Sequence, residues 1–310
     1  MIITLTLNPA VDQTMFVESL LPGEVNRVHQ TQLDPAGKGI NASRVAHRLG
    51  WPTIAFGALA GDTGRIVERA LEEEGVQHHF VRLAGQTRIN ITVTERSKSR
   101  STSLYSPGPS MGSDTLDRLD ELVRFWLPAG RVLVLAGSLP PGLSADTYSR
   151  FISHAQRQNV TTILDASGSA LRLGIEAKPD VIKPNVAEAE ELLGRRLSRT
   201  EEIIDGAREI AARGVRIVIV SMGADGAVCF DGGKVFRVTV PKVERKSTVG
   251  SGDSFVAGVA IALARGDGLI EGLRLGTAAG AATARSTGTS LARADDVSVL
   301  LPEVRVEQLA

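Results

Sequence analysis

Val132-Leu-Val-Leu-Ala-Gly-Ser138 opens with five consecutive apolar residues and ends on a glycine and a serine. An apolar run without alternation suits a strand covered on both faces, and the polar pair marks where it leaves the core. Thr161-Thr-Ile-Leu-Asp165, Val181-Ile182 and Ile217-Val-Ile-Val-Ser221 repeat the theme. Between them, Asp146 to Gln158, Val186 to Leu193, Thr200 to Arg213 and Gly252 to Arg265 carry helical periodicity. This alternation predicts an α/β fold, a central and mostly parallel sheet with helices on both faces. The N-terminal third differs. Met15–Val17, Arg27–Leu33, Ile89–Glu95 and Ser101–Tyr105 alternate polar and apolar with no helix inside either pair. They predict a small antiparallel β-sheet lid, built from two insertions at about 11–33 and 87–106 of a single domain spanning 1–310.

Composition narrows the function classes. With 310 residues, 43% of them hydrophobic, the chain can bury a large core. Thirty-five basic and 35 acidic side chains balance, so no nucleic-acid or anionic-membrane partner is expected. The single cysteine, Cys229, lies in a strand-like stretch and reads as a buried thiol in a reducing, cytoplasmic compartment. Met1-Ile-Ile-Thr-Leu-Thr-Leu7 reads as a strand rather than a leader. The five histidines lack metal-ligand spacing, and His78-His79 reads as surface.

In open α/β sheets, ligands gather at the carboxyl ends of strands. Polar and glycine clusters stand at those places: Asn8-Pro-Ala-Val-Asp12, Gly137-Ser138, Asp165-Ala-Ser-Gly168, Lys183-Pro-Asn185 and Ser221-Met-Gly223. Thr248-Val-Gly-Ser-Gly-Asp-Ser254 precedes an apolar helix. Glycines there allow positive φ and close backbone approach, and the free N–H groups of the helix start attract an anion. Asp253, in the first turn, can cap the helix or take the proton of an attacking hydroxyl beside that anion site. Ala36-Gly-Lys-Gly-Ile-Asn41 is a second glycine loop, suited to a polyol or simply an ordinary turn with an exposed lysine. Asn185 and Glu188 are three apart at a helix start, a spacing that fits either a capping box or a water-rich Mg²⁺ site. Arg27 and Arg88, in the lid, are solvated or grip a phosphate.

Taken in order, Thr4 to Asp12, Ala36 to Asn41, Gly137 to Gly142, Ile182 to Asn185 and Thr248 to Asp253 resemble the ribokinase-like carbohydrate kinases, in their phosphofructokinase-B branch. Within it, Gly23-Glu-Val-Asn-Arg27, Gly37-Lys-Gly-Ile-Asn41 and Thr87-Arg-Ile-Asn90 are most similar to the 1-phosphofructokinases, with the tagatose-6-phosphate kinases next. The 6-phosphofructokinases of the branch tend to carry glycine where Lys38 stands. Ala136 and Ala166 replace frequent serines.

The resemblance implies ATP-dependent phosphorylation of a ketohexose phosphate, with fructose 1-phosphate first. It implies that Asp12, Gly37, Gly39 and Asn41 bind sugar hydroxyls, and that Lys38, Arg88 and Ser138 approach the substrate phosphate. Lys183, Asn185 and Glu188 would face ATP phosphates and Mg²⁺. Ser221, Gly223 and Thr248 would border the nucleotide. Gly250, Ser251 and Gly252 would form the anion hole, and Asp253 would be the base. It further implies a homodimer through the lid and, in some members, a monovalent cation such as K⁺ near the anion hole.

Overall fold

A computed structural model describes residues 1–98, 100–247 and 249–309. The strands in chain order are β1 (Ile2–Thr6), β2 (Ala10–Val17), β3 (Gln30–Ala36), β4 (Thr53–Ala60), β5 (Gln77–Leu83), β6 (Arg88–Glu95), β7 (Arg100–Leu104), β8 (Val132–Ala136), β9 (Thr161–Asp165), β10 (Val181–Ile182), β11 (Ile217–Ser221), β12 (Ala227–Asp231), β13 (Lys234–Thr239) and β14 (Arg305–Gln308). The helices are α1 (Lys38–Arg48), α2 (Gly61–Glu74), α3 (Ser113–Trp126), α4 (Thr147–Arg157), α5 (Gly168–Glu176), α6 (Val186–Leu193), α7 (Thr200–Ala211), α8 (Ser251–Arg265), α9 (Leu269–Arg285) and α10 (Ala294–Leu300).

Among the described residues the main sheet has ten strands, in the order β14-β13-β12-β11-β10-β9-β8-β1-β4-β5. From β5 to β11 every pairing is parallel; β12, β13 and β14 add an antiparallel edge. Alternate strand residues feed opposite cores. Ile3, Leu5, Leu133 and Leu135 face α3, α4, α5 and α7, whereas Ile2, Val132, Val134 and Ile217 face α1, α8, α9 and α10. This two-sided burial is why the apolar runs do not alternate. Cys229 is buried in the second core. Among the described residues, no helix is long and apolar enough to cross a membrane.

The chain winds from β1 outward to β4 and β5, then returns to β8 on the other side of β1. The sheet order therefore reverses between β1 and β8, the kind of switch point beside which open α/β sheets place their ligands.

The second sheet has the order β3-β2-β6-β7. It is mixed rather than antiparallel, because β2 and β6 pair in parallel, Asp12 opposite Asn90. Both leave the same carboxyl edge of the main sheet, β2 after β1 and β6 after β5, so they start out in one direction. Alternation in a sequence carries no strand direction. The strands also reach closer to the main sheet than expected, starting at Ala10 and ending at Ala36. His78 and His79 lie within β5, and His79 is packed between Phe56 and Trp126 rather than on the surface. Burial lowers its pKa.

Candidate active site

Helix α8 is preceded by Gly250, its N-cap, whose φ of 78° is open to glycine at little cost. Gly252 is helical, so only one of the two glycines supplies positive φ. The other supplies space: a Cβ on Gly252 would lie 3.5 Å from Lys183 Nζ, on the cleft side. Asp253, in this first turn, is 8% exposed. Its Oδ2 accepts a hydrogen bond from Asn41 Nδ2 at 2.8 Å. Burial, reinforced by the charge of Asp165, pushes its pKa up to about 6, against the pull of Asn41, Lys38 and Lys183. A carboxylate so poised can hold or release a proton near neutral pH.

Asp165, at the end of β9, is buried and binds two ammonium groups, Lys38 Nζ at 3.0 Å and Lys183 Nζ at 3.4 Å. Burial opposes its charge, but Lys183 and Lys38 prevail and hold its pKa below the ordinary value. Burial likewise works against Lys38, yet Asp165, Glu188 and Asp253 together hold its ammonium above the usual range. Lys38 therefore sits among the groups around Asp253. Asp165 was legible as a strand-end acid, but its two partners lie 127 positions before it and 18 after it in the chain.

A second cluster lies beside it. Asn8 Nδ2 donates to Ser138 Oγ at 3.3 Å and to the Pro107 carbonyl at 2.9 Å. Arg88 Nη2 donates to the Asn8 carbonyl and Nη1 to the Ser106 carbonyl, both at 3.0 Å. Thus Arg88 ties the segment that follows β7 to the loop after β1, and Asn8 of that loop in turn reaches Ser138 in the loop after β8. Arg27 lies exposed between β2 and β3. Asp12 Oδ1 accepts from Asn90 at 2.8 Å, and burial raises its pKa. Gly37, with φ 134°, turns β3 into α1. Gly39 faces the sheet: a Cβ there would lie 2.6 Å from Thr6 Oγ1, so its lack of a side chain serves the packing of α1 on β1.

On the other flank, a cleft of about 490 Å³ is bounded by Lys183, Asn185, Ser221, Gly223, Ser251 and Gly252. Its apolar walls are Val240, Pro241, Val243, Phe255, Ala281 and Ala284. Those walls carry no sequence signal of their own, because small and branched apolar residues also fill any core. Apolar walls with a few polar groups at one end suit a purine nucleotide whose phosphates point toward Lys183 and the α8 N-terminus. Thr248 lies outside the described residues.

Asn185 and Glu188 form a reciprocal capping box at the start of α6, with both hydrogen bonds at 2.9 Å. Among the described residues, no three His, Cys, Asp or Glu side chains converge on one point. Asn185 borders the cleft, and the Glu188 carboxylate is near enough to Lys38 to raise its pKa. One amide and one carboxylate would suit Mg²⁺, which keeps most of its waters and takes few protein ligands.

Residues 5–295 match the pfkB family carbohydrate kinases. A 1-phosphofructokinase of Bacillus subtilis (strain 168) is 37% identical over 309 residues, covering 100% of both chains. An ATP-dependent 6-phosphofructokinase isozyme 2 of Mycobacterium tuberculosis is 36% identical over 298 residues, 96% of this chain and 87% of that relative. The structure of phosphofructokinase-2 from Escherichia coli in complex with potassium superposes with a TM-score of 0.91 at 32% identity, over 97% of this chain and 98% of that one. The chain belongs to the pfkB family of carbohydrate kinases, enzymes that move a phosphoryl group from ATP to a sugar hydroxyl.

Proposed function

We propose that this protein transfers the γ-phosphoryl group of ATP to a primary hydroxyl of a ketohexose phosphate, with fructose 1-phosphate as the foremost acceptor and fructose 1,6-bisphosphate as product. The observation that carries the reading is the place of Asp253. It is buried between the Gly37–Asn41 loop and Lys183, at the N-terminus of α8, with a pKa near 6. As the acceptor oxygen bonds to phosphorus, its proton passes to the Asp253 carboxylate and ADP leaves. The free amides of Ser251 and Gly252 and the ammonium of Lys183 face the charge spread over the transferring group. Asn41 keeps the carboxylate aimed. Asp12, Asn90 and the Gly37 backbone hold acceptor hydroxyls, and Ser138 and Arg88 frame its phosphate. Asn185 and Glu188 would hold Mg²⁺ through its waters, and the ion would neutralise phosphate charge there. Potassium bound to the Escherichia coli relative makes a K⁺ dependence worth measuring in the same assay.

The small sheet then serves as a lid. Leu33 and Leu104 on it, Tyr105 just after β7, and Leu21, Val25 and Val28 in the β2–β3 loop are exposed, which favours a homodimer through this sheet. A monomeric mass in sedimentation at micromolar concentration would remove the dimer from the proposal.

The 6-phosphofructokinase relative supports fructose 6-phosphate as a second acceptor. Lys38 discriminates less than its place in the sequence suggests, since its ammonium is engaged by Asp165. A coupled ADP-release assay over fructose 1-phosphate, fructose 6-phosphate, tagatose 6-phosphate and free fructose tests the reading. Fructose 1-phosphate should give the highest kcat/KM. Preference for an unphosphorylated sugar would overturn it.

A further inference from the structure

The connection between α9 and α10 touches strand β3, just before it enters the Gly37 loop, at one end and the Gly250 loop at the other. At one end, Thr289, 8% exposed, donates its hydroxyl hydrogen bond to Asp34 Oδ2, which also accepts from Gln32 Nε2 at 2.8 Å. Asp34 is the residue opposite Asp12 in the β2–β3 ladder, three positions before Gly37. One residue further along, the Pro35 carbonyl accepts from Arg44 Nη1 at 3.1 Å. The path from the small sheet into the Gly37 loop is thus held from two sides.

At the other end, Leu291 packs where a Cβ on Gly250 would come within 2.5 Å of its Cδ2. The Leu291 carbonyl accepts from Arg48 Nη1 at 3.2 Å, tying the segment to α1. The next residue starts a relay with one consistent direction. Ala292 N–H donates to Thr283 Oγ1 at 2.9 Å, Thr283 Oγ1–H to Ser254 Oγ at 2.7 Å, and Ser254 Oγ–H to the Gly250 carbonyl at 2.9 Å. Ser254 and Thr283 are fully buried, so each hydroxyl has one orientation that satisfies its neighbours.

We infer that Thr289 is a positioning residue that registers the two glycine loops against each other through Asp34 on one side and the Leu291–Gly250 contact on the other. Asn41 and Asp253 already meet across the two loops at 2.8 Å, so a small slip of either loop misplaces the base relative to the acceptor. Positioning of this kind shows in turnover more than in the affinity for either substrate. The inference rests on the phosphoryl-transfer reading above, but not on the choice of sugar.

The test is a double-mutant cycle on kcat with whichever panel sugar the wild type turns over best. Thr289→Val keeps the shape and removes the hydroxyl; Asp34→Ala removes its acceptor. Each alone should lower kcat by roughly ten- to a hundredfold with smaller changes in KM, and the double variant should be no worse than the poorer single one. Thr289→Ser, which keeps the hydroxyl, should restore turnover to within about threefold of wild type. Multiplying effects, a kcat for Thr289→Val within about twofold of wild type, or a Ser variant as poor as Val would each overturn the role. A wild type that prefers another sugar would revise the acceptor and leave the cycle standing.

Discussion

The two glycine loops look alike in sequence and do different physical work. Each leads into a helix that packs on the main sheet, and each brings a polar side chain to the same point, Asn41 from one and Asp253 from the other. In the Gly37 loop, Gly39 is glycine because β1 leaves no room, with Thr6 Oγ1 and the Leu5 carbonyl in the way of a side chain. In the Gly250 loop, a Cβ on Gly252 would meet only Lys183, at an ordinary contact distance, on the side of the cleft. One loop uses its glycine to dock a helix; in the other the glycine keeps backbone open to the cleft. A glycine pattern alone does not say which.

The largest expected effect falls on the second loop. Asp253→Asn should lower kcat by about 10²–10⁴-fold while a non-hydrolysable ATP analogue still binds, as judged by calorimetry. The same variant should stabilise the protein at pH 7.5. The folded-state pKa of Asp253 lies above its unfolded value, so its contribution is favourable below the unfolded pKa and is lost as pH rises through about 6. Removing the buried charge should therefore add on the order of 2 kcal/mol at pH 7.5, read as a higher Tm than wild type, and the gain should shrink toward pH 4. Near-normal turnover in this variant would break the assignment of the base.

The comparison itself is sharpened by one methyl placed in each loop. Gly39→Ala should cost about 1–3 kcal/mol in chemical denaturation, because backbone and Thr6 must shift to admit it. Gly252→Ala should leave stability within about 0.5 kcal/mol, since its neighbours are at ordinary contact distance, yet weaken ATP binding by intruding beside Lys183. If both variants lose stability alike, the two glycines do the same work and the distinction falls.

The smallest effect is electrostatic. Asn41 donates to the charged form of Asp253, so Asn41→Ala should raise the pKa of the base and move the acidic limb of the kcat/KM profile from near pH 6 to higher pH. An unmoved limb would show that the titrating group is not Asp253.

The main fold was legible because each buried strand carries its own signal. Apolar runs such as Val132–Ala136 cannot stand at a half-wet surface, and helices α4, α6 and α8 begin and end within two residues of where their periodicity places them. The small sheet was legible as strands but not as a mixed sheet, since period-two alternation is the same for either direction. His79 looked like half of a surface doublet; the ring lies between Phe56 and Trp126, which are distant in the chain.

The sequence by itself determined the chemistry on offer: an aspartate after two glycines, a lysine inside a glycine loop, and polar groups at successive strand ends, each a local feature of a few residues. Only the tertiary structure decided who meets whom. Lys38 and Lys183 share Asp165, Asn41 rather than solvent holds Asp253, Gly39 answers to β1, and Thr289 reaches back to Asp34. The physical reason is that short-range pattern fixes secondary structure through periodicity and steric limits, whereas partners separated by up to 255 positions meet only where the strand order brings them. Asp253 is poised near neutrality because burial and Asp165 act on it together, and neither is written in the residues beside it.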